Sequence, residues 1–394
     1  MEQNSEPNAV TSHISDSEKV YPIPQMVISA TRSERDIFEI PREVIMVQQR
    51  QVENNAVRFT PDALSEAPSI LVQKTNYGAG APVIRGLIGN QVLIMVDGVR
   101  LNNSTFRLGP NQYLNTVSPY LIDRIEVVEG PGSVLYGSDA LGGTVNLITR
   151  DIKNPQVSGL RLLTTLSSAD WSGVNRIDYA KHFGHLSMNI GGGYRKQEDL
   201  RGGQGIQPST GFSGYEGDMK VRYAFNDQNE ITASYQLTEY KNVPRTDKIS
   251  SGDDKKYLYN PQRRELSYLS YDVSGVSDFL QLMKVTLSFN RQVEGREEIT
   301  TKKPKLETRD MDEIQTLGVS VELHSLLDSQ NHLTYGFEWY SDKVSSRRDT
   351  VNLTNNKSGA VKPQFPDGTR YQTFGAFLQH QFTLNPFYVI AGLR

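Results

Sequence analysis

The sequence contains no cysteine. Disulfide staples, thiolate metal sites and cysteine nucleophiles are therefore excluded, while the compartment stays open. A run of about 18 apolar residues is also missing, so no membrane-spanning helix is written into the chain. Nor is there an excess of one charge. The 42 Lys and Arg stand against 45 Asp and Glu, a net charge of −3, which is not the footprint of a nucleic-acid-binding surface. Histidine is scarce, and His13, His182, His185, His324, His332 and His380 show neither zinc-protease nor zinc-finger spacing. Acidic pairs such as Asp253-Asp254 and Glu297-Glu298 read as solvated charge in loops. No catalytic constellation emerges, and the chain reads as a non-enzyme with no metal site and no cofactor.

What is present begins with punctuation between Pro82 and Arg150. The β-prone run Gln91 to Val96 ends at Asp97-Gly98 and resumes at Val99, the strongest short hairpin signal. Ser118-Pro119 predicts one or two helical turns through Asp123. A strand follows from Ile125 to Val128 and stops at Gly130-Pro131-Gly132. A short helix, Ser133 to Tyr136, is closed by Gly137, and Gly142-Gly143 turns the chain into a strand, Thr144 to Thr149. Upstream, Val44 to Val47 reads as a strand and Thr60-Pro61 as the start of a helix to about Glu66. The loops Tyr77 to Ala81 and Asn102 to Tyr113 carry the polar and aromatic residues expected of a ligand-contact surface, among them Tyr77, Arg107, Asn111, Gln112 and Tyr113. The glycine-rich stretch Gly130 to Gly137 lacks the Gly-Lys-Ser/Thr ending of a phosphate-binding loop.

The ordered motifs VIRG, VLIMVDGVRLN and RIEVVEGPGSVLYGSDALGGTVNLIT resemble the plug domain of TonB-dependent outer-membrane receptors, over roughly residues 25 to 150. The resemblance implies a division into a periplasmic arm (1–24), a TonB box with the plug (25–150) and the N-terminal portion of an outer-membrane barrel (151–394). It places the TonB box, which pairs with an energy transducer from the inner membrane, at Gln25, Met26, Val27, Ile28, Ser29 and Ala30. An extended β-prone segment of this kind suits strand addition to a partner's sheet edge. It also implies that the loops bearing Tyr77 and Arg107 to Tyr113 face the solute, and that Arg85, Glu126 and Glu129 dock against the barrel wall. A charge on a plug strand must be paired or hydrated. The first residues, MEQNSEPNAVTSHISDSEKV, show no export signal, which is expected to have been removed or to lie outside the chain.

After Arg150 the pattern becomes period 2. Leu186, Met188 and Ile190 alternate with Ser187, Asn189 and Gly191; the same alternation recurs around Ile231 to Leu237, Val285 to Phe289, Leu317 to Leu323 and Leu333 to Trp339. About eleven strands can be laid down. Short links near Gly184, Asn226 to Asn229, Ser277-Asp278, Asp328 to Asn331 and Asn385-Pro386 alternate with long ones near 196–213, 242–262, 295–310 and 346–368, the layout of an outer-membrane barrel. Phe183, Tyr194, Tyr215, Phe225, Tyr240, Tyr340 and Phe382 read as an interfacial girdle, and a mean hydropathy of −0.49 suits a sheet with one polar face. A soluble β-sandwich is the competing architecture. The fold class is mainly β: a small α+β plug followed by an antiparallel transmembrane barrel. About eleven strands make half of a 22-stranded barrel, so the chain is expected to be an N-terminal fragment. The function expected from the resemblance is TonB-dependent import of a large scarce solute, first an iron carrier such as a ferric siderophore or haem. Cobalamin or oligosaccharide import, or a surface receptor that binds without transport, are the alternatives.

Overall fold

The structure, a computed structural model, describes residues 26–29, 32, 35–36, 40, 42–110, 113–150, 158–328, 330–384 and 387–394. Two sheets organise them. The first is built from β1 (Met26–Val27), β2 (Arg35–Asp36), β3 (Val44–Gln48), β4 (Ile70–Gln73), β5 (Ala81–Ile84), β6 (Val92–Val96), β7 (Val99–Arg100), β8 (Ile122–Glu129) and β9 (Gly143–Thr149). Five of these form the small sheet in the order β3-β8-β9-β6-β7, with β6 and β9 parallel; β1 pairs β2, and β4 pairs β5.

The continuous apolar run of β6 has a physical reason. Ile94 and Val96 pack with Ile125, Val127, Val145 and Leu147, whereas Leu93 and Met95 pack on the other side against Leu135, Tyr136 and Phe377. A strand buried on both faces has no polar partner face and loses its alternation. The hairpin forms as its sequence predicts: Val96 pairs Val99, and Asp97 and Gly98 both adopt positive φ, 49° and 81°, as this two-residue turn requires.

Of the helices, α1 (Gln49–Asn54), α2 (Thr60–Ala63), α3 (Ser133–Tyr136) and α4 (Thr246–Ser250), α3 falls where expected and is closed by Gly137 at φ 71°. Two expectations need correction. Ser118-Pro119 opens a turn rather than a helix, because β8 already begins at Ile122 and draws the chain into the sheet. The helix at Thr60 ends at Ala63. α1 was not legible, since QRQVEN buries Val52 alone and offers no apolar period.

The second sheet has 13 strands: β10 (Gly159–Ser167), β11 (Ser172–Phe183), β12 (Leu186–Gln197), β15 (Phe212–Ala224), β16 (Asn229–Lys241), β18 (Asp254–Ser274), β19 (Leu280–Thr300), β20 (Leu306–Asp328), β21 (Asn331–Asn352), β23 (Arg370–Leu384) and β24 (Phe387–Leu393), with β17 (Val243–Pro244) and β22 (Lys357–Val361) added beside β18 and β21. A separate hairpin, β13 (Leu200–Gly202) with β14 (Gly205–Gln207), lies in the link between β12 and β15. The main path runs β10-β11-β12-β15-β16-β18-β19-β20-β21-β23-β24, all antiparallel and in chain order, so the expected eleven strands are found among the described residues. Its ends, β10 and β24, are not paired with each other.

Alternation is as predicted. Ile190, Tyr235, Leu287, Leu317 and Phe337 are exposed, while Asn189, Gln236, Asn290, Thr316 and Glu338 are buried on the opposite face, toward the small sheet. The long links are shorter than expected, because β19 continues to Thr300, β20 resumes at Leu306 and β21 reaches Asn352. At about 3.3 Å per residue these strands run to roughly 70 Å, more than twice a bilayer core of about 30 Å. In these extensions both faces carry polar residues, with Arg296, Glu307 and Asp310 on the buried side, and the apolar alternation that betrays a strand disappears. In the expected girdle, Phe183, Tyr194, Tyr215 and Phe225 are exposed, whereas Tyr240 is buried and Tyr340 lies against Arg100 on the inner side.

Candidate functional site

The inner face of the large sheet meets the small sheet through buried charge. Arg176 on β11 is 2% exposed and is held by Asp178, Glu216 at 3.0 Å and Asp218. Gly191 on the next strand leaves the room, since a Cβ there would collide with Arg176 and Asp178. The same carboxylates hold the small-sheet side: Ser118 donates to Glu216 at 2.7 Å, and Arg150 reaches Asp178 at 3.1 Å. Breaking a buried pair by removing one partner costs about 3–5 kcal/mol.

The hairpin turn is a second anchor. Tyr268 of β18 donates to Asp97 at 2.8 Å and Lys220 of β15 lies at 3.2 Å, while Thr149 donates from its amide and hydroxyl. Burial pushes the Asp97 carboxyl up, but Lys220 and the hydrogen bonds outweigh it and hold the group below its ordinary range. The sequence marked Asp97 as a turn residue; its partners on β15 and β18 lie more than 100 residues away and left no local signal. Among the described residues, Arg85, Glu126 and Glu129 find ion-pair partners within the small domain. Arg85 lies 3.3 Å from Glu129, and Glu126 binds Arg124 at 2.8 Å.

The other role of Glu126 is to hold the N-terminal segment. Its Oε2 accepts the Ile28 amide at 3.0 Å, the Ser29 amide at 2.8 Å and the Ser29 hydroxyl at 2.6 Å. Tyr136 donates to the Ser29 carbonyl at 2.9 Å, and Val27 is fully buried against Ile40 and Val128. Met26 belongs to the two-residue ladder β1/β2; Gln25 and Ala30 lie outside the described residues. Arg32 then crosses to the wall, bonding Glu338 and, at 3.3 Å, Glu322, with its guanidinium 4.5 Å from the Tyr136 ring and 4.4 Å from that of Phe377. Burial opposes its charge, yet the two carboxylates outweigh burial and keep it ionised. The segment is thus docked against the plug in this conformation.

At the opposite end, the structure brings Arg107 and Tyr113 together. They line a cavity of about 20 Å³ with Tyr259, Glu294, Asp312 and Phe365, and Tyr113 stacks on Phe106 at 4.4 Å. Burial, and after it Glu294, raises the Tyr113 phenol above its usual range and keeps it a neutral hydroxyl. Such a cavity holds about one water and no solute. Tyr77 sits in an adjoining aromatic cluster with Phe59, 5.8 Å away, and Tyr259 is common to both groups. Asn111 and Gln112 lie outside the described residues. Sequence reasoning missed a larger recess of about 590 Å³ among the upper extensions of β18 to β22, lined by Lys248, Asp254, Lys302, Lys303, Arg348 and Val361. Its volume is that of a small-molecule site, and of its lining only the pair Asp253-Asp254 stands out in the sequence, as solvated loop charge.

Residues 36–144 match the family described as the TonB-dependent Receptor Plug Domain. The hemin receptor of Yersinia pestis is 26% identical over 415 aligned positions, 98% of this chain and 56% of that protein. Residues 36–144 thus carry the plug domain of TonB-dependent receptors, and nearly the whole chain is similar to receptors that have it. The vitamin B12 transporter BtuB of Vibrio vulnificus is 30% identical over 249 residues, 59% of the chain and 39% of the relative. The chain thus spans about half the length of the curated relatives it matches. Among solved structures, the unliganded ferric citrate transporter FecA superposes with a TM-score of 0.71 at 15% identity, over 94% of this chain and 58% of that one. That likeness shows the fold, in which the small sheet is the plug and the large sheet the barrel wall. The iron-regulated outer membrane virulence protein of Vibrio cholerae is 26% identical over 374 residues, 90% of this chain and 54% of that protein.

Proposed function

We propose that the chain is the plug and adjoining wall of a TonB-dependent importer that takes an iron carrier, a ferric siderophore or haem, across the outer membrane. On this reading residues 1–24 are the periplasmic arm, 25–150 the box and plug, and 151–394 barrel wall, with lipid against its apolar outer face. The observation that carries the reading is the docking of Val27 to Ser29 on Glu126. A short segment held by one carboxylate, at the foot of a plug pinned to the wall by buried charge, suits a handle pulled from the periplasm by a TonB-type transducer. The solute enters from the opposite end, where the recess near Lys302 and Lys303 and the plug residues Tyr77, Arg107 and Tyr113, with Asn111 and Gln112 in the same loop, supply its contacts. The cationic lining suits an acidic carrier.

The test is Val27→Pro in cells under iron limitation. Energised uptake of the carrier is expected to vanish while its surface binding persists; undiminished uptake contradicts the reading. Cobalamin is the second candidate, favoured by the likeness to the vitamin B12 transporter. Growth supported by cobalamin, and not by haem or siderophores, would select it.

A further inference from the structure

Arg264 on β18 differs from every other fully buried guanidinium described above. It is 0% exposed, yet among the described residues no carboxylate pairs with it. Its Nε donates to the Thr116 carbonyl at 3.2 Å and its Nη2 to Gln236 Oε1 at 3.1 Å, both neutral acceptors, and its Nη1 donates to nothing. Arg176 has three carboxylates and Arg32 two. A guanidinium does not shed its proton in a protein, so its charge needs a counter-charge when water is excluded.

The side chains around it are donors in waiting. Gln236 has committed its oxygen to Arg264, which fixes its amide nitrogen as an unpaired donor. Gln262, two residues before Arg264 on the same inner face, has both amide atoms unpartnered, and its register partner Tyr240 has a free hydroxyl. From the plug side the turn Tyr113–Thr116 packs against β16 and β18, and Asn115 likewise has both amide atoms unpartnered. Gln236, Tyr240 and Asn115 are 1% exposed and Gln262 3%. Buried polar groups without partners are rare, and here they gather around an uncompensated cation.

We propose that a small monovalent anion of chloride size binds in the seam between plug and wall, on Arg264 Nη1, with Gln236, Gln262 and Asn115 completing its shell. A water could accept one of these bonds but could not neutralise the guanidinium. The ion would pin the Tyr113–Thr116 turn, next to Arg107 and Tyr113, to the wall.

The experiment uses the full chain, purified, with chloride exchanged for gluconate at constant ionic strength. The thermal midpoint is expected to rise with the logarithm of chloride concentration, as for any ligand of the native state, and the rise is expected to be lost in Arg264→Gln. Equal midpoints in both salts, or an unchanged chloride response in the variant, would overturn the site. Should Arg264→Gln fail to fold, crystals of the unmodified chain grown in bromide decide. An anomalous peak beside Arg264 Nη1 supports the proposal; a water without anomalous signal there overturns it.

Discussion

The plug and the barrel wall are inverted versions of one another. In the plug, Ile94, Val96, Ile125, Val127, Val145 and Leu147 are buried and face each other. In the wall, leucines, tyrosines and phenylalanines of the same alternating pattern are exposed, while Arg176, Arg264, Asp178 and Glu216 are buried. The same period-2 code therefore describes two environments. What differs is the solvent of the apolar face: other side chains in the plug and, on the proposed reading, lipid around the wall.

The comparison can be broken with a single charge. Leu147→Arg places an unpaired cation in the plug core and is expected to cost about 4 kcal/mol or more, enough to unfold the plug. Leu287→Arg on the outer face is expected to cost roughly 2–4 kcal/mol in lipid. Urea unfolding of each variant in vesicles checks the order. Arg176→Met sharpens the comparison from inside the wall. It takes from Asp218 its ion-pair partner and from Asp178 and Glu216 one of theirs, and is expected to lower stability by about 3–5 kcal/mol, read from the same urea midpoint.

A smaller effect is expected at the handle. The native chain has no cysteine, so Val27→Cys gives a single labelling site. Adding Glu126→Gln removes a charged acceptor from two amides and a hydroxyl and should raise the labelling rate roughly tenfold, since such bonds contribute about 1.5–3 kcal/mol. The smallest effect is in pH. Because the folded Asp97 carboxyl titrates below its ordinary value of 3.8, its contribution is complete above that value and is lost as pH falls through the lower, folded one. Acid unfolding below about pH 4 should therefore begin later in the native protein than in a reference lacking the depressed group. Asp97→Asn should show a lower but flatter stability curve in that range.

Much of this architecture was legible in the chain. The hairpin at Asp97-Gly98, the helix at Ser133 and the alternation around Leu287 are local signals, and local physics suffices for them. The strand extensions were not legible at Gly295 to Thr300 and Leu306 to Asp310, because their buried face is polar too, Arg296, Glu307 and Asp310 among it, and leaves no apolar alternation to read. The described contacts to the wall were hidden for another reason. Arg85 and Glu129 are charged plug residues and pair with each other, whereas Asp97 and Ser118 looked like turn residues and are among those that touch the wall. Arg107 and Tyr113 could be chosen from loop composition, yet the recess near Lys302 depends on strands that composition did not reveal.

The inversion itself is most directly tested by spin labels placed singly along β19 from Met283 to Asn290, in the protein reconstituted in vesicles, with oxygen and a water-soluble nickel complex as competing relaxants. The account predicts a two-residue alternation, with Val285, Leu287 and Phe289 open to oxygen from the bilayer and Thr286, Ser288 and Asn290 shielded from it. A uniform profile, or access of the nickel complex to Leu287, would mean that the apolar face does not meet lipid and would contradict the account.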